Sequence, residues 1–392
     1  MSAPRQAGPA QLALLLAGSC LSVLGAVLLA PVLPKMQDHF AGTAAADILV
    51  PVVLTVPALV IAITAPFAGV IVDRLDRKRL LIAAMFAYTA AGTAPLYLPS
   101  LGAIIASRVL VGLCEAAIMT CCTTLIADYW SGPRRSRYLG LQTLVATLSA
   151  TAFLALGGLL GAAGWRTPFW LYAVAAVLAV PMARLLWSPE RPAAAGDRLP
   201  PIPWRTLLAP CLVTLVGGVV FYALIVQLSF VLDDIGVTAP ATIGALSAAM
   251  SLATAAGSAS FARLSHRTPK QLLPVAFGLA AAGLAVVSLG TGVAGITIGA
   301  VITGAGTGLL LPVLVTWAIN RLEFAQRGRG TGLWTGFLFL GEFLSPLLIA
   351  GLGTAGGLQP ALGILAGIAA VLGVVTLLAV PRNTAPLNVT DA

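Results

Sequence analysis

Twelve apolar runs, each about as long as a membrane-spanning helix, constrain the fold of this chain more than any other feature. A helix needs roughly 20 consecutive apolar residues to cross the hydrocarbon core of a bilayer. Only 9% of the 392 residues are charged, whereas soluble domains carry about 25%. The sequence therefore predicts an all-α integral membrane protein with twelve transmembrane helices. The runs cover about 11–33, 49–72, 80–99, 101–127, 139–162, 167–187, 207–232, 241–262, 271–291, 294–319, 331–353 and 359–380.

A polar, proline-rich segment separates the first six runs from the last six. Residues 188–205 read SPERPAAAGDRLPPIPWR, which is typical of a linker. The two sets also share sequence, because RRSRYLGL at 134–141 aligns without a gap on QRGRGTGL at 326–333. Transporters are commonly built from such internal repeats. We therefore predict an N-terminal six-helix bundle (1–187), a cytoplasmic linker (188–205) and a C-terminal six-helix bundle (206–392), related by pseudo-twofold symmetry.

The basic residues predict the orientation of the chain in the membrane. The net charge of +9 would suit nucleic-acid binding, but the charges lie in the connections between apolar runs, where they indicate topology. With both termini in the cytoplasm, 19 of the 22 Lys and Arg residues fall in inner loops and termini. The sequence thus predicts a multi-pass membrane protein with both termini in the cytoplasm, in contact with lipid and without a nucleic-acid partner.

The densest cluster of charge is GVIVDRLDRKR at 69–79, between the second and third runs. This segment resembles the loop motif G-x-x-x-D-R-x-G-R-K of the major facilitator superfamily, with Asp76 in place of the motif's second glycine. The resemblance implies a twelve-helix secondary transporter of the bacterial cytoplasmic (inner) membrane that works by alternating access. It also implies that the loop is a conformational latch on the cytoplasmic side. The matching residues are Gly69, Asp73, Arg74, Arg77 and Lys78.

Three ionisable residues lie inside the predicted spans: Arg108, Glu115 and Glu342. A charge at the bilayer centre costs about 3 kcal/mol and indicates a function. Arg108 and Glu115 are seven residues apart, so they share a helix face at a separation of roughly 10 Å. The segment RVLVGLCEAA around them also resembles the family motif R-x-x-x-G-x-G-x-A, and in that family the fourth helix lines the central cavity.

Glu115 and Glu342 are the predicted proton-coupling residues. A carboxyl favours its protonated form in hydrocarbon and its ionised form in water, which is the change that proton coupling requires. We favour Glu115, because the charge of Arg108 on the same face stabilises its ionised form while the cavity is wet. The alternatives are a structural Arg108–Glu115 network, and a protonated Glu342 that only forms hydrogen bonds between helices.

The solute itself is less constrained by the sequence. Arg108, Tyr222, Trp317 and Trp334 are the predicted substrate contacts or charge partners, although aromatic residues in membrane helices also serve as plain packing. Half of the family's antiporter motif is present, as Gly157 and Gly158. The predicted function is export of a small organic solute in exchange for protons, by a monomer. The alternatives are proton-coupled uptake of an organic acid, with Arg108 as its partner, and a non-transporting sensor or scaffold. Neither an enzyme motif nor a metal-ligand spacing occurs, so we predict no catalytic residue, cofactor or metal.

Overall fold

The computed structural model describes residues 7–188, 202–323, 326–354, 356–380 and Leu387, without the side chains of 69–74 and of Ser136. Every regular element in these residues is helical, and twelve helices are long and apolar enough to cross a membrane. The predicted all-α fold with twelve transmembrane helices is therefore confirmed. The main α-helix of each span is α1 (Pro9–Val27), α2 (Ala46–Arg74), α3 (Arg77–Thr93), α4 (Leu101–Tyr129), α5 (Gly132–Gly161), α6 (Val174–Leu185), α7 (Trp204–Asp234), α8 (Pro240–Leu264), α9 (Pro269–Leu289), α10 (Val293–Ile319), α11 (Arg327–Gly353) and α12 (Leu358–Ala379). The sixth span also includes the 3-10 segment Thr167–Ala173 before α6.

Prolines account for the main difference from the predicted first span. The first run was expected to end near residue 33, but the chain continues through a 3-10 turn at Ala30–Val32 and a short helix at Leu33–His39. Pro31 and Pro34 lie at the start of these two pieces. Proline has no backbone N–H to donate, so it interrupts an α-helix and is well placed in a first turn.

The third helix begins at Arg77, three residues before the predicted start at 80, because Asp76 caps it. The Asp76 carboxylate accepts a hydrogen bond from the backbone N–H of Arg79 at 2.9 Å and another from the Ser188 hydroxyl at 2.7 Å. The Arg79 bond first, and then the Ser188 bond, hold the pKa of Asp76 below its usual range. A capped first turn lets the helix start among charged residues.

Successive helices run in opposite directions, so their connections alternate between two faces of the bundle. We call the face with the α2–α3, α4–α5 and α8–α9 connections, and the end of α10 and start of α11, the basic face, and the other the opposite face. Most of the predicted linker 188–205 lies outside the described residues. The repeated loops at 134–137 and 326–329 are six helices apart and so belong to the same face. On this face the guanidinium of Arg77, at the start of α3, forms an ion pair with Asp128 near the end of α4.

Buried apolar side chains form two clusters that follow the two sets of six helices. The first cluster runs from Leu15 to Leu186 and includes Tyr222, Val226 and Ala248 from the second set. The second cluster runs from Leu207 to Leu387. Large apolar side chains on the outside of the bundle are exposed, where a bilayer would supply lipid tails as their neighbours.

The two sets of helices meet along two helix pairs, α2 with α11 and α5 with α8. Toward the opposite face, α5 crosses α8 at Gly158 and Gly244, where a Cβ atom on Gly158 would lie 2.8 Å from the Gly244 Cα. Toward the basic face, a Cβ on Gly332 of α11 would lie 2.9 Å from the Ala65 carbonyl oxygen of α2. The backbones therefore touch directly, which only small residues permit.

Candidate functional site

A cavity of about 840 Å³ lies between the two sets of helices. Its lining residues come from α1, α2, α4 and α5 on one side and from α7, α8, α10 and α11 on the other. Some of them, such as Leu139, Ser258 and Thr331, lie near the ends of their helices at the basic face. Toward the opposite face, α5 and α8 are in backbone contact. By these lining residues the cavity extends toward the basic face between α5 and α8, whereas α2 and α11 are in backbone contact on that side. Its volume suits a drug-sized molecule.

The structure brings three of the predicted site residues into this one cavity: Glu115, Glu342 and Tyr222. The two carboxyls come from different halves of the chain and are almost wholly buried, with 1% and 5% of their surface exposed. The Tyr222 hydroxyl donates a hydrogen bond to the Ala26 carbonyl, which joins α7 to α1 across the two sets. Among the lining residues that the structure describes there is no Lys, Arg or His. The site is therefore acidic.

Arg108 is fully buried and does not line the cavity. Its guanidinium donates to the Tyr172 hydroxyl at 2.6 Å and to the Gly25 carbonyl at 3.4 Å, and it lies 4.8 Å from the centre of the Tyr172 ring. Tyr172 belongs to a 3-10 segment, Thr167–Ala173, and no pattern in the sequence indicated it. Arg108 is thus held within the first set of helices.

Gly25 lets the Glu115 carboxyl lie against the backbone of α1. A Cβ at this position would lie 2.8 Å from the Glu115 Cδ and 3.4 Å from its Oε2. The same residue supplies the carbonyl that accepts from Arg108. Arg108 and Glu115, which share a face of α4, also interact electrostatically. Gly25 of α1 therefore contacts both residues of this pair. Oε1 of Glu115 is buried without a hydrogen-bond partner among the described residues.

A polar cluster that the sequence analysis missed lies in the same cavity. Gln142 of α5 donates from Nε2 to the Ser19 hydroxyl at 2.7 Å and to the Thr123 hydroxyl at 3.0 Å. All three residues line the cavity. A glutamine inside the apolar run 139–162 was the available signal, because a polar amide in hydrocarbon needs partners.

The two predicted tryptophans lie elsewhere. Trp317 and Trp334 are buried, with 4% and 7% of their surface exposed, in the apolar cluster of the second set. Neither lines the cavity, and the Trp317 ring lies 5.3 Å from the Arg321 guanidinium. The structure therefore places them in packing positions, apart from Glu115, Glu342 and Tyr222.

The predicted latch is only partly within the described residues. The side chains of Gly69, Asp73 and Arg74 lie outside them, whereas Arg77 pairs with Asp128 and Lys78 is half-buried. The latch role stays a prediction. The described residues contain no group of three or more His, Cys, Asp or Glu side chains that could hold a metal ion.

A central cavity lined from two six-helix sets is typical of membrane transporters built from repeated bundles. The sequence model of the Major Facilitator Superfamily matches residues 15–293 and 210–391. The chain therefore belongs to this superfamily, whose members are transporters and not enzymes.

Two relatives with curated functions align with part of the chain. The quinolone resistance protein NorA of Staphylococcus aureus is 24% identical over 200 residues, covering 49% of this chain and 51% of NorA. The class C tetracycline resistance protein of Escherichia coli is 29% identical over 154 residues, covering 39% of each chain. The matched part is therefore about half or less of each relative's length.

Several solved structures share the whole fold. An inward-facing, unoccupied bacterial homologue of the human lysosomal transporter Spinster has a TM-score of 0.73 and 16% identity, over 95% of this chain and 96% of that one. The human organic anion transporter MFSD10 has a TM-score of 0.71 and 18% identity, over 94% of this chain and 100% of that one. A point mutant of the nucleoside transporter NupG scores 0.74 at 12% identity, with the same coverage. At such identities the likeness shows the fold alone.

Proposed function

We propose that this transporter exports a small organic solute across a bacterial cytoplasmic membrane in exchange for protons. The observation that carries the proposal is the pair of buried carboxyls, Glu115 and Glu342, which reach one cavity from the two halves of the chain. In this proposal the protein acts as a monomer, 1–187 and 206–392 are its two moving bundles, and the basic face is cytoplasmic.

The charge of the cavity favours a cationic or neutral solute over an organic acid. An acid would meet two carboxyls, and no cation among the described lining residues would neutralise it. Arg108, the partner that an acid would need, is fully buried and bound to Tyr172 and Gly25. Burying an unpaired charge is strongly unfavourable, so the geometry supports export of an amphipathic amine or neutral compound.

The relatives support the same direction of transport. Two of them confer resistance to a quinolone and to a tetracycline, and removal of a compound from the cell is one way to produce resistance. Each match covers about half of the relative or less, so it supports the proposal without identifying the solute.

Protonation of the two carboxyls would couple solute export to proton entry, because hydration favours their ionised form and burial favours their protonated form. With the cavity open to the cytoplasm and wet, Glu115 and Glu342 ionise and attract the solute. When the halves rock and the cavity opens on the opposite face, protons replace the solute on the carboxyls, and the neutral site can close and return. The backbone contacts between α5 and α8 must separate in this movement. The loop 69–79 is the proposed latch on the cytoplasmic side.

Transport in liposomes tests this proposal. Purified protein is reconstituted, a pH gradient is imposed, and uptake of a quinolone, a tetracycline and several amphipathic amines is measured. We expect Glu115→Gln to abolish gradient-driven accumulation and to spare solute exchange down its own gradient. Glu342→Gln should reduce accumulation as well. Asp47→Asn, at an exposed acid in the first turn of α2, is the matched control. Full gradient-driven transport by both glutamine variants would exclude these two carboxyls as the coupling groups.

A further inference from the structure

We infer that Gln142, Ser19 and Thr123 form a second recognition subsite, which binds a hydrogen-bond donor of the solute at a distance from Glu115. The inference rests on the proposed function, because it concerns the same cavity, and it narrows the solute to one chemical class. The subsite joins three helices: Gln142 lies on α5, Ser19 on α1 and Thr123 on α4. Gln142 is 9% exposed, so its amide is largely withdrawn from water.

The partners of the two hydroxyls determine the orientation of the Gln142 amide. The Ser19 hydroxyl donates its proton to the Leu15 carbonyl at 2.8 Å, and the Thr123 hydroxyl donates to the Met119 carbonyl at 2.9 Å. Each hydroxyl has one proton, so both can only accept from Gln142. The amide nitrogen must therefore face them, and its two N–H groups are both used.

The group that remains is the amide oxygen. It accepts no hydrogen bond from the described residues, although Gln142 lines the cavity. With its donors committed, the side chain offers the cavity an acceptor and nothing else. This oxygen is not among the buried atoms that lack a hydrogen-bond partner, so it is accessible from the cavity, where a donor group on a bound solute would take the place of water.

The spacing along α4 sets the distance between this subsite and the carboxyl. Glu115, Met119 and Thr123 lie on successive turns of α4 and all three line the cavity. Eight residues at the rise of an α-helix separate the Cα atoms of Glu115 and Thr123 by about 12 Å along the axis of α4, and the contacts of the same two sites on α1, Gly25 and Ser19, are about 9 Å apart. The Met119 side chain between them is apolar and adaptable. The cavity is thus acidic at one end, apolar in the middle and hydrogen-bond accepting at the other.

This arrangement is complementary to an elongated amphipathic amine with a donor at each end. One ammonium group would bind at Glu115, an apolar segment would lie against Met119, and a second N–H donor would reach Gln142. A solute with a single amine would satisfy the carboxyl alone. The structure therefore assigns Gln142 a role in discriminating between these two kinds of amine.

Binding to purified protein in detergent, at constant pH and without a gradient, tests this inference. The probes are nonylamine, with one amine, and the diaminononane that carries one amine at each end of its chain. The two nitrogens of the diamine lie roughly 12 Å apart when the chain is extended. We expect the wild type to bind the diamine about tenfold more tightly than the monoamine, as one added charge-assisted hydrogen bond implies. Gln142→Leu should remove this preference and leave monoamine binding unchanged. Gln142→Glu should increase it, because a carboxylate accepts more strongly from an ammonium group.

The control is Thr120→Val, a residue of α4 outside the cavity lining whose hydroxyl donates to the Ala116 carbonyl at 2.8 Å. It should keep the wild-type preference. Equal or undetectable binding of the two amines by the wild type would overturn the inference, as would a preference that survives in Gln142→Leu. If Gln142→Leu instead weakens both amines alike, Gln142 only fastens α5 to α1 and α4, and the inference is overturned. Because no gradient is used, any of these results leaves the proposed coupling to be judged by the liposome assay.

Discussion

Gly25→Ala tests the packing of the Glu115 carboxyl against α1. Gly25 is buried, and a Cβ there would lie 2.8 Å from the Glu115 Cδ and closer still to its Oε1. Non-bonded carbon atoms pack best at about 3.5–4.0 Å. Because Oε1 lies closest to the added methyl group, the carboxyl must move by roughly 1–2 Å, away from the position at which it lines the cavity.

The expected change in stability is the difference between two opposing terms. Overpacking a closely packed site costs about 1–3 kcal/mol, whereas Gly→Ala inside a helix stabilises by about 0.5–1 kcal/mol. We expect a net destabilisation of about 1 kcal/mol. Gly278→Ala is the matched control, because a Cβ at this exposed position in α9 meets nothing within 4 Å. It should show only the stabilising term.

The assay is a double-mutant cycle with Glu115→Ala, measured by denaturant unfolding in detergent and by gradient-driven transport in liposomes. Gly25→Ala should lose coupled transport as Glu115→Gln does. In the Glu115→Ala background the added methyl has space, so its destabilising effect should vanish and the coupling energy should be about 1–3 kcal/mol. Equal destabilisation in both backgrounds, or normal coupled transport by Gly25→Ala, would refute the reasoning.

Three further predictions concern other contacts. Tyr172→Phe keeps the ring beside Arg108 but removes the 2.6 Å hydrogen bond, and should lower the free energy of unfolding by about 1.5–3 kcal/mol; an unchanged unfolding midpoint would contradict it. Gly158→Leu places a side chain at the backbone contact with Gly244, so it should abolish transport while solute binding persists, and normal turnover would be the contrary result. Asp76→Ala should lose about 0.5–1 kcal/mol of capping energy at neutral pH. Because the pKa of Asp76 is lowered in the folded protein, this contribution is present above the unfolded pKa of about 3.9. The contribution disappears as the pH falls through the pKa of Asp76 in the folded protein. The unfolding midpoints of the wild type and of Asp76→Ala should therefore converge in acid.

The helices and the class of protein follow from local features of the sequence. Apolar runs of about 20 residues leave the chain no alternative in hydrocarbon, since every backbone polar group must be paired within its own helix. That requirement is local, which is why twelve spans could be read from the sequence with errors mainly at prolines and caps. Pro31, which breaks the first span, and Asp76, which starts the third helix early, are such cases. The motif residues from Gly69 to Lys78 likewise pointed to the superfamily that the family model confirms.

Which polar residues share a site depends instead on long-range packing. Glu115 and Glu342 are more than two hundred residues apart, yet they meet in one cavity. Arg108 shares a helix face with Glu115 but is bound to Tyr172, outside that cavity. Spacing along a helix gives the face and the depth of a residue, but not the neighbour that covers it. Long-range packing supplies that neighbour, and here it turned Trp317 and Trp334 into packing residues and brought Gln142, Ser19 and Thr123 together from three helices.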